Sequence, residues 1–389
     1  MSVVVTEAIF EQEDVRKFKL RPLNLGPITQ GQLMVRIDKF GVTSNNVSYL
    51  ATGRSLRYFD FFPVSGEKPG QYGTMPVWGF GTVIKSLSPL VAEGERLWGY
   101  WPCASHCVLV PDPKRTTQAS FVVRRDDLPA DRLAYLTYSR VDKRALPTPS
   151  SPELEDHAML LRGLWVTGFL LADYLAVKNN FSVAGSHPTK TVVIVSASSK
   201  TGYSLAFCLK QLAPTTEVIG LTSSRNKAFV QGTLKNLYDH VVTYQDIATQ
   251  LPVRQGGCVI VDMAGDDDVT KKVYDRYGKG GVRQTVRVGA SHWSSPTPTV
   301  ASFRPPNSHF FFAPGWSQER VKAIGPKEFV DRQSAVWDAT MRAAAGWIDV
   351  HTATGPEEVK NVVAKVIAGD YGAKDGFVAA FGEGSGVKL

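Results

Sequence analysis

Cysteine is scarce, four in 389 residues, which excludes a disulfide-built scaffold, since those are short and cysteine-dense. No unbroken apolar stretch approaches the roughly 18 residues that cross a bilayer, so no membrane partner is expected. The opening Met1-Ser-Val-Val-Val-Thr-Glu7 lacks the basic start and apolar centre of a secretion signal. A cytoplasmic location is therefore expected. The net charge is +8, yet Lys and Arg are scattered apart from Arg124-Arg125 and Lys271-Lys272. Nucleic-acid binding wants a basic stripe with interleaved aromatics, so no nucleic-acid partner is expected and small anionic ligands are favoured. What is present is 43% hydrophobic residues with 34 Gly and 23 Pro, enough for a large core and about two domains.

The cysteines also offer no metal centre. Cys103-Ala-Ser-His-Cys107 runs into Val108-Leu-Val-Pro111 as a strand, where neighbours point to opposite faces and His106 and Cys107 cannot share one ion. Cys208 and Cys258 are expected in the core.

The chain is organised around Thr191-Val-Val-Ile-Val-Ser-Ala-Ser-Ser-Lys-Thr-Gly202. Its β-branched run predicts a strand buried on both faces. After Gly202, Leu205, Leu209 and Leu212 recur at helical spacing until Pro214. A helix opening directly after such a strand presents free N–H groups and a positive dipole end, where phosphate is stabilised. The usual dinucleotide loop uses glycines to let the backbone approach a pyrophosphate. Here only Gly202 of that pattern stands. Ser196, Ser198 and Ser199 offer hydroxyls, Lys200 a cation, and Thr201 a further hydroxyl; a packed turn that binds nothing is the alternative.

A second strand, Glu217-Val-Ile-Gly-Leu221, ends in Thr222-Ser-Ser-Arg-Asn-Lys227. An acidic residue at this strand end selects NAD, and a basic, hydroxyl-rich end admits the 2′-phosphate of NADP. No carboxylate lies between Gly220 and Lys227. Ser223, Ser224, Arg225 and Lys227 can offer charge-assisted bonds to that phosphate, so the cofactor expected is NADP.

From Gly163-Leu-Trp-Val-Thr-Gly-Phe-Leu-Leu-Ala172 through Tyr244, the chain resembles the nucleotide-binding domain of medium-chain dehydrogenase/reductases, nearest in pattern to the zinc-free quinone oxidoreductase and enoyl or prostaglandin reductase branches. The resemblance implies a Lys after the second strand and a Tyr after the third on the 2′-phosphate; Lys227 and Tyr244 match. It departs at Ser199-Lys200, where the family commonly has two glycines. The Ser-Ala-Ser-Ser-Lys-Thr wording, with Thr-Ser-Asn-Asn and Trp-Gly-Phe earlier, also resembles an offshoot known mainly as a domain of unknown function.

The implied fold class is α/β: a Rossmann-type doubly wound parallel sheet plus a GroES-like β-rich catalytic domain. The implied domains are 1–160 catalytic, 161–325 NADP-binding, and 326–389 returning to the catalytic domain. Gly41-Val-Thr-Ser-Asn-Asn-Val-Ser-Tyr-Leu-Ala-Thr-Gly53 resembles the segment that reaches nicotinamide and substrate. Trp78-Gly-Phe-Gly-Thr-Val83 resembles the family's Gly-x-Gly-x-Val strand. Zinc members carry Cys at the place of Thr43 and His and Glu at Val77 and Trp78, so no catalytic zinc is implied. Residues 111–157, rich in Pro, Arg and Asp, read as a long loop, either an exposed linker or a segment whose Tyr135, Tyr138 and Arg140 cap the substrate cleft.

Later strands are expected at Cys258–Gly265, Gln284–Ala290 and His309–Pro314, the last apolar enough for a homodimer sheet edge. Ligands lie past the carboxyl ends of such strands, which makes Met263, Ala264, Gly289, Ala290, Ser291, Phe312 and Ala313 candidates near nicotinamide, with His292-Trp293 just beyond. Helices follow over Gly325–Trp347 and Pro356–Gly369, and Gly384–Leu389 resembles the family's terminal strand. Hydride transfer needs orientation and a polarising or proton-donating group. Asn45, Asn46, Tyr49 and Tyr58 are the candidates, with Tyr58, Phe59, Phe61, Phe62, Trp98 and Trp101 as an aromatic pocket or as core. The function expected is zinc-independent NADPH-dependent reduction of an activated carbonyl or α,β-unsaturated carbonyl small molecule, such as an enone, quinone or polyketide-like compound. The alternatives are a non-redox isomerase, lyase or cyclase, or a silent partner of a synthase.

Overall fold

A computed structural model describes residues 3–125, 127–128, 132–141, 152–178, 189–288 and 305–382. The chain divides into two compact units: Met1–Leu160 with Ile348–Tyr371 and Asp375–Leu389, and Leu161–Trp347 with Gly372–Lys374. The first contains β1 (Val3–Glu11), β2 (Phe18–Leu25), β3 (Leu33–Val42), α1 (Ser44–Ala51), β4 (Tyr72–Thr74), β5 (Pro76–Ser86), β6 (Arg96–Pro102), β7 (His106–Leu109), β8 (Pro111–Thr116), β9 (Ser120–Val123), α2 (Leu133–Leu136) and β10 (Thr137–Arg140). Helix α3 (Pro152–Lys178) leads on to β11 (Thr191–Val195), α4 (Lys200–Leu212), β12 (Glu217–Thr222), α5 (Lys227–Gly232), β13 (His240–Thr243) and α6 (Ile247–Gln250). Then come β14 (Cys258–Asp262), α7 (Asp267–Tyr277), β15 (Val282–Arg287), β16 (Ser308–Phe310), α8 (Ala313–Ile324) and α9 (Pro326–Ala344). The chain closes in the first unit with β17 (Asp349–Thr354), α10 (Pro356–Ala368) and β18 (Asp375–Ala380).

The second unit holds one sheet in the order β13-β12-β11-β14-β15-β16, all pairs parallel. This is the doubly wound order that the alternation of strand and helix patterns implies. Every residue of β11 and β14 is buried, because a central parallel strand is covered on both faces. Val193, Val195, Ile219, Leu221 and Ile260 pack with Val269 and Val273 of α7 in one cluster. Each such side chain contributes roughly 1.5–3 kcal/mol by leaving water. Helix α3 comes so close to α4 that a Cβ on Gly168 would stand 2.7 Å from Leu205 N. The sheet ends at β16, where Phe310 is exposed.

The first unit is β-rich, with a sheet ordered β17-β18-β3-β5-β6-β10-β9-β8, β7 also on β3, and a smaller sheet β2-β1-β4.

Three expectations are corrected. Residues 111–157 are not a loop: β8, β9, α2, β10 and the start of α3 fall there, while 142–151 lie outside the described residues. The Pro, Lys and Arg of β8 misled because this is the sheet's outermost strand, where missing donors and charges are tolerated. Tyr138 is a buried core ring stacked 5.6 Å from Phe121, and Arg140 pairs with Glu95; only Tyr135 joins the aromatic group described below. Helix α3 is long and apolar enough over Leu154–Lys178 to cross a membrane by composition. Its Leu161, Trp165, Phe169 and Leu171 are instead core residues. Finally, α9 stays in the second unit rather than returning at 326, held by Trp337 against Trp165 at 4.8 Å and by Trp165 Nε1 donating to Thr340 Oγ1 at 2.8 Å.

Candidate functional site

The second unit gathers hydroxyls where β11 turns into α4. Ser196 takes a left-handed conformation, φ 64°, a region that favours glycine. Its Oγ lies 3.3 Å from Tyr244 Oη, and Tyr244 N donates to Thr222 O at 3.0 Å, tying the ends of β12 and β13 together. Ser198 Oγ accepts from Asn226 Nδ2 at 3.0 Å. Ser199 is the N-cap of α4, its Oγ accepting from Gly202 N at 3.1 Å, one of the four otherwise unpaired donors of the helix head. Lys200 and Thr201 are the first two residues of that helix. A Cβ at Gly202 would stand 2.7 Å from Ser196 O and 2.9 Å from Ser199 Oγ, so only glycine fits.

The end of β12 carries the basic segment. Thr222 is fully buried, and its Oγ1 has no partner among the described residues. Ser223 caps a short 3-10 turn, Ser224 Oγ donates to Gln245 Oε1 at 3.1 Å, Arg225 is exposed, and Lys227 begins α5 half-buried. Thus Ser196, Ser198, Thr222, Asn226 and Tyr244 meet around the carboxyl ends of β11, β12 and β13.

Sequence reasoning missed Asp262, the last residue of β14 and fully buried. Its Oδ1 accepts from Ala264 N and Gly265 N at 3.0 and 2.9 Å, and its Oδ2 has no partner among the described residues. Burial pushes its pKa up, against those backbone N–H groups. A carboxylate closing an apolar strand before Ala-Gly was the available signal. Ala264 is thereby placed beside this carboxyl, whereas Gly289, Ala290, Ser291, His292 and Trp293 lie outside the described residues.

The first unit gathers phenols. Trp78 and Phe80 on β5 and Trp98 and Tyr100 on β6 alternate along their strands in register, so each set shares one sheet face. Tyr49 from α1 stands 5.5 Å from Tyr100 and 4.6 Å from Tyr58, centroid to centroid. Tyr58 Oη lies 3.2 Å from Tyr135 Oη. Tyr49 Oη accepts from Asn45 Nδ2 at 2.8 Å and from Trp78 Nε1 at 3.0 Å. With both lone pairs engaged, the phenol has only its own proton left to offer. Burial pushes the Tyr49 pKa well above its usual value, helped by the Tyr58 phenol, while the Trp78 and Asn45 N–H groups pull it down.

The two asparagines separate. Asn45 reaches Tyr49, whereas buried Asn46 holds the start of α1, its Oδ1 accepting from Thr43 N at 2.7 Å and its Nδ2 donating to Pro76 O at 2.8 Å. Asn46 is thus a structural cap. Trp78, noticed in the sequence as the start of a family-like strand and at a zinc ligand's place, is the second donor to Tyr49. No group of three His, Cys, Asp or Glu is placed to hold a metal among the described residues.

The fold is that of the medium-chain dehydrogenase/reductases, a Rossmann unit joined to a GroES-like unit. Within it, the chain belongs to the family described as Protein of unknown function (DUF2855), whose model matches residues 40–372. Similar solved structures include CurA from Vibrio vulnificus in complex with NADPH, at 13% identity over 97% of this chain and 99% of that chain, TM-score 0.57. An Etr1p mutant in complex with NADP and crotonyl-CoA is similar at 12% identity, 98% and 100% coverage, TM-score 0.55. Mycobacterial Rv1454c complexed with NADPH follows at 17% identity, 98% and 100% coverage, TM-score 0.52. At these identities the likeness is one of fold. No curated protein matches by sequence.

Proposed function

We propose that this protein is a zinc-independent, NADPH-dependent oxidoreductase reducing an activated carbonyl or α,β-unsaturated carbonyl compound. The observation that carries the reading is the turn from Ser196 to Gly202, whose cradle a single Cβ at Gly202 would fill. A helix head directly after a central parallel strand suits a pyrophosphate. The unsatisfied Thr222 Oγ1 nearby fits a missing polar partner, and similar folds carry NADPH or NADP.

NADPH, when bound, supplies the hydride. Ser198, Ser199, Lys200 and Thr201 would hold its pyrophosphate. Ser223, Ser224, Arg225, Lys227 and Tyr244 would hold the 2′-phosphate, with no carboxylate in Leu221–Lys227 to repel it. In the first unit, burial keeps the proton on Tyr49 at neutral pH. Tyr49 then gives that proton to the acceptor, and the N–H groups of Asn45 and Trp78 stabilise the phenolate left behind. Asn45 is thus a positioning residue, and Tyr58 with Tyr135 fixes the side of the Tyr49 ring.

The test is NADPH absorbance loss across a panel of enones, quinones and aldehydes. Turnover of at least one class, with NADPH and not NADH, is expected. Conversion of a substrate without NADPH loss would assign the fold to a non-redox reaction instead.

A further inference from the structure

Arg125 differs from several other arginines of its unit. Arg57, Arg115 and Arg140 are each bound to a carboxylate, of Asp60, Asp112 and Glu95. No carboxylate pairs with Arg125 among the described residues; its guanidinium lies over the Phe62 ring, 4.7 Å from the centroid. Stacking fixes the plane of a guanidinium and leaves its N–H edge available for a forked bond to an oxyanion.

Phe62 is one edge of the phenol cluster, 6.1 Å from Tyr100, which in turn stands 4.9 Å from Trp78 and 5.0 Å from Tyr135. Tyr49, Tyr58 and Tyr100 are buried, but Phe62, Trp78 and Tyr135 each keep part of their surface in water. Trp78 and Tyr135 touch at 5.9 Å and Phe62 joins them through Tyr100, so these half-exposed rings, beside an arginine with no carboxylate, offer an apolar surface and one positive fork.

We propose that Phe62, Trp78, Tyr135 and Arg125 form a binding site for a planar aromatic anion, its ring against the aromatic wall and its carboxylate or sulfonate on Arg125. This names the substrate class of the reductase and rests on that reading only for the role of substrate, because binding to this wall needs no coenzyme.

Calorimetric titration of the full chain with naphthalene-2-sulfonate and with the neutral naphthalene-2-sulfonamide tests it. The sulfonate is expected to bind tighter by on the order of tenfold, as a charge-assisted fork supplies. Arg125→Ala should remove that preference, Arg125→Lys should keep part of it as a point charge, and Phe62→Leu should weaken both ligands. Equal affinities in the wild-type protein, no binding of either ligand, or an Arg125→Ala variant with unchanged preference would overturn the site. NADPH consumption plays no part in this readout. A protein that binds the sulfonate but reduces nothing therefore refutes the reductase and leaves this site standing.

Discussion

The two units differ in how their candidate site groups are bonded. In the first, Asn45 and Trp78 both donate to Tyr49 and Tyr58 meets Tyr135, while Tyr100 Oη and His106 Nε2 are buried without a hydrogen-bond partner among the described residues. In the second, the hydroxyl of Thr222 and one oxygen of Asp262 are buried without partners among the described residues. Each such vacancy costs about 1–3 kcal/mol. The Tyr49 hydroxyl of the first unit thus has two donors, whereas the strand-end Thr222 hydroxyl and Asp262 Oδ2 of the second have no hydrogen-bond partner among the described residues.

The largest way to break this contrast is Tyr49→Phe. It removes the hydroxyl, and with it the proton and the acceptor of Asn45 and Trp78, so kcat on a reducible enone should fall by about 10²–10⁴-fold, the usual worth of a placed general acid. NADPH affinity should stay unchanged, because that belongs to the second unit. Steady-state kinetics beside a coenzyme titration separates the two readouts, and a variant with normal kcat would remove Tyr49 from the chemistry.

A second, smaller effect concerns a buried imidazole of the first unit. His106 is buried, with Nδ1 2.9 Å from Ser105 Oγ and Nε2 unpartnered among the described residues. Burial lowers its pKa to about 4, helped by the Arg36 charge. Because the folded value lies below the unfolded one, the unfolded chain takes up the proton first as pH drops. The stability contribution is therefore complete above about pH 6.5 and is lost as pH falls through 4, a change of about 3 kcal/mol. Urea unfolding of wild type and His106→Gln from pH 7 to pH 4 should show that much steeper loss in the wild type. Parallel curves would contradict it.

Much of the second unit was legible because its signals are local. Val192–Val195 is a central strand, apolar on both faces, and Lys200–Leu212 follows with its cap in plain sequence. What misled were residues whose meaning depends on distant partners. The Pro and Arg of β8 look like loop chemistry until the strand is seen to be outermost in its sheet. Asn45 and Asn46 are chemically identical neighbours, yet one reaches Tyr49 four residues on and the other is fixed by Pro76 thirty residues away. The pattern of α9 predicts a helix but says nothing about which unit covers it; Trp165, far back in the chain, decides that. Tyr49 was legible as a phenol on the expected segment, but its donor Trp78 was not, since an indole hydrogen bond between residues 29 apart in sequence leaves no periodic trace.

The central claim is that the helix head after β11 and the basic end of β12 hold a dinucleotide bearing a 2′-phosphate. Fluorescence titration of the protein with NADPH and with NADH, beside Lys227→Ala, tests it most directly. The account predicts tighter binding of NADPH, with the variant losing roughly 1–3 kcal/mol of that preference. Equal and negligible affinity for both nucleotides would contradict it.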